Sequence, residues 1–240
     1  APDAAIDLGW KDNNGTQINI DYFSSLTSIK AIWTAKTGST GATAESQKLQ
    51  FYQGEGCSVS LGSPISLLVG DKDYELKGAT NGGVYSYKVT SLDDAGNSSV
   101  SACSPKLTVQ SAAPSVVISS PTVLNVVNSS TTTLYPVSGT CSEVGLDVVI
   151  KVVDSATPSV TSTEKTPCTN SKTFSTVVAL NGLADGKLKF NATQTNTAGI
   201  STTSAPDVEI TKDTKAPDAA IDLGWKDNNG TQINIDYFSS

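Results

Sequence analysis

Residues 81–99 read NGGVYSYKVTSLDDAGNSS, and residues 184–202 read ADGKLKFNATQTNTAGIST. Set 103 residues apart, the two stretches follow one plan: Ala95-Gly96 falls on Ala198-Gly199, and Tyr87 falls on Phe190. In the first copy Tyr85, Tyr87 and Val89 alternate with Ser86, Lys88 and Thr90. A period of two places one set on a buried face and the other towards solvent, which predicts a strand. The run ends at Gly96 and Asn97, residues that accept the left-handed backbone of a tight hairpin. Each copy therefore predicts a long strand, a turn and a returning strand.

Working outward, the same 25 residues, APDAAIDLGWKDNNGTQINIDYFSS, occupy positions 1–25 and 216–240, a period of 215. That period is far longer than the 20–50 residues of a solenoid and counts whole domains. Ala-Pro recurs at 1–2, 113–114 and 216–217, which divides the period into two halves of 112 and 103 residues. The reading is a first domain over 1–112, a second over 113–215, and the opening strands of another copy of the first over 216–240. The chain then reads as a piece of something longer. In the first half, short β-rich runs predict strands near 4–8, 17–23, 29–35, 48–53, 74–78, 84–91 and 100–109. In the second they fall near 115–119, 133–142, 147–153, 161–165, 173–180, 187–193 and 201–211. DVVIKVV at 147–153 has the β-branched composition of a core strand. No stretch sustains helical periodicity. Seven strands in about a hundred residues is the count of an immunoglobulin-like sandwich, so the expected fold class is all-β: two tandem sandwiches plus the start of a third.

Composition narrows the function. Lys and Arg total 16 against 23 Asp and Glu, a formal net charge of −7, and no residue is arginine. That balance excludes the basic footprint nucleic acid requires. His is absent, which removes the commonest general base and transition-metal ligand, and the chain is expected not to be an enzyme. No run of 18 apolar residues offers a membrane span. Four cysteines, without a CxxC pair, suggest two disulfides and an oxidising compartment, four buried thiols being the alternative. The boundary near Ala113 separates them two and two, which pairs Cys57 with Cys103 and Cys141 with Cys168.

Several motifs carry a family resemblance. The second half contains SGT at 138–140, GLADG at 182–186, NTAGI at 196–200 and DTKAP at 213–217, and the first half contains DDAGN at 93–97. These resemble the strand end, turn, hairpin and linker of bacterial immunoglobulin-like (Big-type) tandem repeats in large surface proteins and adhesins. In the hairpin, Asn196 and Ile200 stand where that pattern has Asp and Asn. IKAIWTAKTG, with Trp33, and GVYSYKVTS are also similar to fibronectin type III modules. The resemblance implies a structural repeat of an extracellular or cell-surface bacterial fibre, an extended disulfide-stabilised stalk in adhesion or matrix formation. The alternatives are a carbohydrate- or protein-binding module and an ancillary region of a secreted enzyme.

The resemblance also implies calcium at inter-domain linkers, with Asp93, Asp94, Asp213 and Asp218 as candidate oxygen ligands and Asp222 nearby; the alternative is solvated turn residues. The linker QSAAPSVV holds no acid, so calcium is expected only at alternate junctions. No other cofactor is implied. Trp10, Trp33 and Tyr52 are candidates for a sugar platform or for core, with Trp10 the discriminating residue. Asp71 and Asp73 read as loop residues, and the N-x-S/T sequences at Asn14, Asn97 and Asn191 as chance. The expected partners are neighbouring copies of the repeat, through filament contacts or through strand complementation by residues 216–240.

Overall fold

The computed structural model describes residues 1–18, 21–36, 43–122, 126–156, 158–218, 225–226, 228–230 and 232–233. No helix occurs among them, so none is long and apolar enough to cross a membrane. The first half contains β1 (Ile6–Asp12), β2 (Tyr22–Phe23), β3 (Ile29–Thr34), β4 (Ser46–Gln53) and β5 (Val59–Leu68). It continues with β6 (Asp73–Glu75), β7 (Val84–Leu92), β8 (Ser98–Val100) and β9 (Leu107–Val109). One sheet has the order β1-β3-β6; the facing sheet runs β2-β9-β7-β4-β5, with β8 also on β7.

The second half repeats that plan strand for strand. It comprises β10 (Val116–Ser120), β11 (Val126–Val127), β12 (Tyr135–Cys141), β13 (Asp147–Asp154) and β14 (Thr161–Pro167). These are followed by β15 (Thr173–Val178), β16 (Gly186–Thr195), β17 (Ser201–Thr203) and β18 (Val208–Lys212). Its sheets are β10-β12-β15 and β11-β18-β16-β13-β14, with β17 on β16. The parallel pairing recurs too, at an offset of 104 residues on one strand and 103 on the other. Tyr22 and Phe23 pair in parallel with Thr108 and Val109, as Val126 and Val127 pair with Thr211 and Lys212. The chain is thus two tandem immunoglobulin-like, fibronectin III-like sandwiches. A further short pair, β19 (Trp225–Lys226) with β20 (Gln232–Ile233), sets Lys226 opposite Gln232, just as Lys11 bridges Gln17 215 residues earlier.

Two separate cores result, with no residue in common. Alternation buries Tyr85, Tyr87 and Val89 of β7, and Leu188, Phe190 and Ala192 of β16. The Tyr87 hydroxyl shares its one proton between the carbonyls of Gly9 and Ile32 and accepts the Gly9 N–H, tying β7 across the sandwich to β1 and β3. Burial raises its pKa. Phe190 at the matching position packs instead on Tyr135, with ring centroids 5.8 Å apart. The cysteines are joined as Cys57–Cys103 and Cys141–Cys168. The first bridge ties the turn after β4 to the segment between β8 and β9. The second spans the two sheets, from the end of β12 to the loop after β14.

Several sequence expectations are corrected. The ten-residue β5 was not anticipated, because Gly62 and Pro64 interrupt VSLGSPISLL. It is an edge strand bound only to β4, where a missing N–H is tolerated. β5 itself bulges there, Gly62, Ser63 and Pro64 standing opposite the single Gln50, whose side-chain amide donates to the Phe51 carbonyl at 2.7 Å and the Gly62 carbonyl at 3.3 Å. The strand expected over 17–23 is only β2 plus the single Gln17 bridge, and residues 19 and 20 lie outside the described residues. The single strands expected over 100–109 and 201–211 are each split in two. At the break a serine hydroxyl takes over from the backbone: Ser101 Oγ accepts the Val89 N–H and Ser204 Oγ the Ala192 N–H. The prolines that follow, Pro105 and Pro206, have no N–H to continue the ladder.

Candidate functional site

The segment between β9 and β10, residues 110–115, is gripped from both sides. From the first sandwich, Asn81 Oδ1 accepts the backbone N–H of Ser111 at 2.7 Å and of Ala112 at 3.0 Å. The Gln110 N–H donates to the Phe23 carbonyl at 2.8 Å, extending the parallel pairing of β2 with β9. From the second sandwich, Asn196 Nδ2 donates to the Ala112 carbonyl at 2.9 Å, and Thr197 Oγ1 donates to Gln110 Oε1 at 2.8 Å. The other end of the same Gln110 amide donates to Glu143 Oε2 at 3.0 Å. Pro114 is buried and its ring fixes φ as the chain enters β10.

The gripping groups are themselves held. Asn196 is 4% exposed, and its Oδ1 accepts the Ile200 N–H at 2.9 Å within the hairpin between β16 and β17. Gln194, fully buried, accepts the N–H groups of Ser142 and Glu143, each at 3.1 Å, and donates to the Glu143 carbonyl at 2.9 Å. The turn that carries Glu143 is therefore pinned to β16. Each such bond contributes only about 1 kcal/mol net, but here several converge on one short segment from both sandwiches.

The sequence departure at 196 has a physical reason. In the first sandwich the matching turn uses Asp93, whose Oδ1 accepts the Asn97 N–H at 2.7 Å. Asn196 makes the same turn bond with its oxygen and has an amide left to donate to the linker. A carboxylate could not donate. Asn81, Gln110 and Glu143 were not singled out in the sequence. The one legible signal was the Asn where the hairpin pattern has Asp.

The second linker shows the upstream half of the same grip. Asp185, in the turn before β16, accepts the Thr214 N–H at 3.1 Å and the Thr214 hydroxyl at 2.9 Å. Lys212, 5% exposed at the end of β18, donates to the Leu183 carbonyl and lies 3.9 Å from Asp185. Asp154 is buried beside this turn and accepts the N–H groups of Ala184, Val160 and Ala156. Those backbone bonds, led by Ala184, hold its carboxyl below the usual range.

The candidate calcium ligands are not gathered within the chain. Asp93 lies in the β7–β8 hairpin, the Asn97 side-chain amide at 2.9 Å lowering its pKa, and Asp94 is exposed beside it. Asp213 Oδ1 accepts the Lys215 N–H at 3.2 Å, and Asp218 is exposed. Among the described residues no group of three acidic, Cys or His side chains forms a metal-sized cluster. Asp222 lies outside the described residues.

Trp10 and Trp33 are core residues, 2% and 3% exposed. Trp10 Nε1 donates to the Pro105 carbonyl at 2.8 Å and Trp33 Nε1 to Gln47 Oε1 at 2.7 Å. Tyr52 is half-buried on β4. Asp73 sits in β6 rather than in a loop and pairs with Lys11 at 2.7 Å and Lys30 at 3.5 Å. The Lys11 hydrogen bond is the main cause of its lowered pKa. Asp71 Oδ2 accepts the Leu68 N–H at 2.9 Å in a turn. Of the three N-x-S/T asparagines, Asn97 is engaged by Asp93.

No protein-family model matches the chain, and no curated protein matches it. Solved structures of similar fold include a tetra-tandem repeat from the extending region of a large adhesion protein. It is 19% identical with a TM-score of 0.39, covering 88% of this chain and 50% of that one. A 1.5-MDa bacterial ice-binding adhesin is 14% identical, TM-score 0.38, over 90% of this chain and 67% of that one. Fibronectin(III)-like modules of Clostridium thermocellum CbhA are 13% identical, TM-score 0.39, over 86% and 94%. The chain thus spans half the length of the first of these and 67% of the second.

Proposed function

We propose that the chain is a non-catalytic structural segment of a long extracellular or cell-surface fibre, of the bacterial adhesin kind. In it sandwiches joined end to end hold a distal element away from its anchor. The observation that carries this reading is the grip on residues 110–115, which converts a linker into a fixed joint. The 215-residue period supplies the repetition. The two disulfides supply resistance to extension, because each closes a loop within one sandwich. The burial of Trp10 and Trp33 takes both away from a sugar-binding surface. Calcium at the second linker and strand complementation by residues 216–240 belong to this proposal; most of that segment lies outside the described residues.

Pulling single molecules by their ends tests the reading. Two unfolding events are expected, one per sandwich, each shortened by the contour inside its disulfide loop. Sequence separations of 46 and 27 withhold roughly 160 Å and roughly 95 Å at about 3.5 Å per residue. A reductant should restore those lengths. Smooth extension without discrete events, or increments that ignore the reductant, would defeat it.

A further inference from the structure

The two linkers are homologous in position and opposite in chemistry. Gln110, Ser111 and Ala112 correspond to Asp213, Thr214 and Lys215 at the same offset of 103. The correspondence rests on bonds as well as on sequence. The Gln110 N–H donates to the Phe23 carbonyl and the Asp213 N–H to the Val127 carbonyl, each at 2.8 Å. Asn81 receives Ser111, and Asp185 receives Thr214. The hairpins correspond too: the Asp93 N–H donates to the Asn97 carbonyl and the Asn196 N–H to the Ile200 carbonyl. At the first linker the downstream half of the grip is the Asn196–Thr197 hairpin. The residues that would fill its place at the second linker, in a copy of the first sandwich, are Asp93 and Asp94.

We propose that residues 213–215 are the docking surface for the Asp93–Asp94 hairpin of a following copy of the first sandwich, with the Lys215 ammonium as the group that receives its carboxylates. The occupant follows from the chain itself, because residues 216–240 repeat residues 1–25 directly after this linker. By this correspondence Asp93 would lie beside Lys215, as Asn196 lies beside Ala112. Asp94 lies beside Asp213, where Thr197 lies beside Gln110. Asp93 cannot donate to a backbone carbonyl as Asn196 does, so the amide bond of the first joint has no counterpart. Lys215, exposed and carrying a cation where the first linker has Ala112, supplies the donor instead. Asp93 retains acceptor capacity beyond its two bonds from Asn97. The remaining charges are Asp185, which holds Thr214, and Lys212, whose ammonium is turned inward to Leu183. The fibre would alternate a neutral, amide-bonded joint with an ionic one that exposes its charges to screening by salt.

This inference rests on the stalk reading, and one molecule separates their failures. The 240-residue chain is extended by residues 26–112 of its own sequence, completing the repeat begun at 216, and amide relaxation reports the tumbling of all three sandwiches. At low salt the third sandwich should tumble with the second, and about 1 M NaCl, with a Debye length near 3 Å, should release it while the first and second stay coupled. Lys215→Glu should release it at low salt, and Asp93→Lys in the appended copy should restore coupling to that variant. The inference is overturned if the third sandwich is uncoupled in the unmodified chain, if Lys215→Glu changes nothing, or if the charge-swapped pair stays uncoupled. It is equally overturned if coupling appears only with added calcium and disappears with a chelator, which would give the carboxylates to a divalent cation. Loss of coupling at residues 110–115 would instead undo the stalk reading.

Discussion

Replacing Cys57 and Cys103 together with alanine is expected to cost the first sandwich about 4 kcal/mol, and replacing Cys141 and Cys168 to cost the second about 3.5 kcal/mol. These figures follow from loop closure over 46 and 27 residues. Against a typical domain stability of about 5–15 kcal/mol, either loss brings its sandwich near the threshold of unfolding at body temperature. The effect should stay local, because the two cores share no residue. Hydrogen exchange under increasing denaturant resolves the sandwiches separately. A loss shared equally by both, or one below about 1 kcal/mol, would show that the bridges do not act as intra-sandwich locks.

The second large effect is expected at Gly139, in the SGT motif of β12. A methyl group on its Cα would lie 2.0 Å from the Val117 carbonyl oxygen and 2.7 Å from the Phe174 ring. The first contact is backbone and cannot swing aside. It belongs to the ladder in which β10 pairs with β12, Ile118 opposite Gly139. Gly139 also stands opposite Phe174 on β15. Gly139→Ala therefore has to part β10 from β12 or displace a buried ring, at about 3 kcal/mol. The denaturation midpoint of the second sandwich should fall while that of the first is unchanged. An unchanged second midpoint would mean that the strands part without cost.

Much of this architecture was legible because its signals are local. The alternation around Tyr87 and the β-branched run at 147–153 buried the residues their period implied. The half-period echo held down to the parallel pairing of β2 with β9 and of β11 with β18, one residue apart in offset. What was illegible depends on distant partners. β5 reads as turns because Gly62 and Pro64 interrupt it, and only its edge position explains why they are tolerated. The echo of Tyr87 at Phe190 hides a difference: one hydroxyl cross-links three strands, and its counterpart only packs. The two bridges break the repeat altogether, since Cys57–Cys103 and Cys141–Cys168 occupy different places in the same topology. The joint was hardest to read, because Asn196 and Ala112 lie 84 residues apart. The oddity at 196 was visible in the sequence, but its meaning required the carbonyl it faces.

The central claim is that residues 110–115 form a fixed joint. The most direct measurement is of residual dipolar couplings and relaxation across the 240-residue chain. One alignment frame and one tumbling time should serve both sandwiches. Asn196→Asp, which keeps the turn bond to Ile200 but removes the donor to Ala112, should widen the difference between them while leaving each sandwich folded. Two independent frames in the unmodified chain would contradict the account.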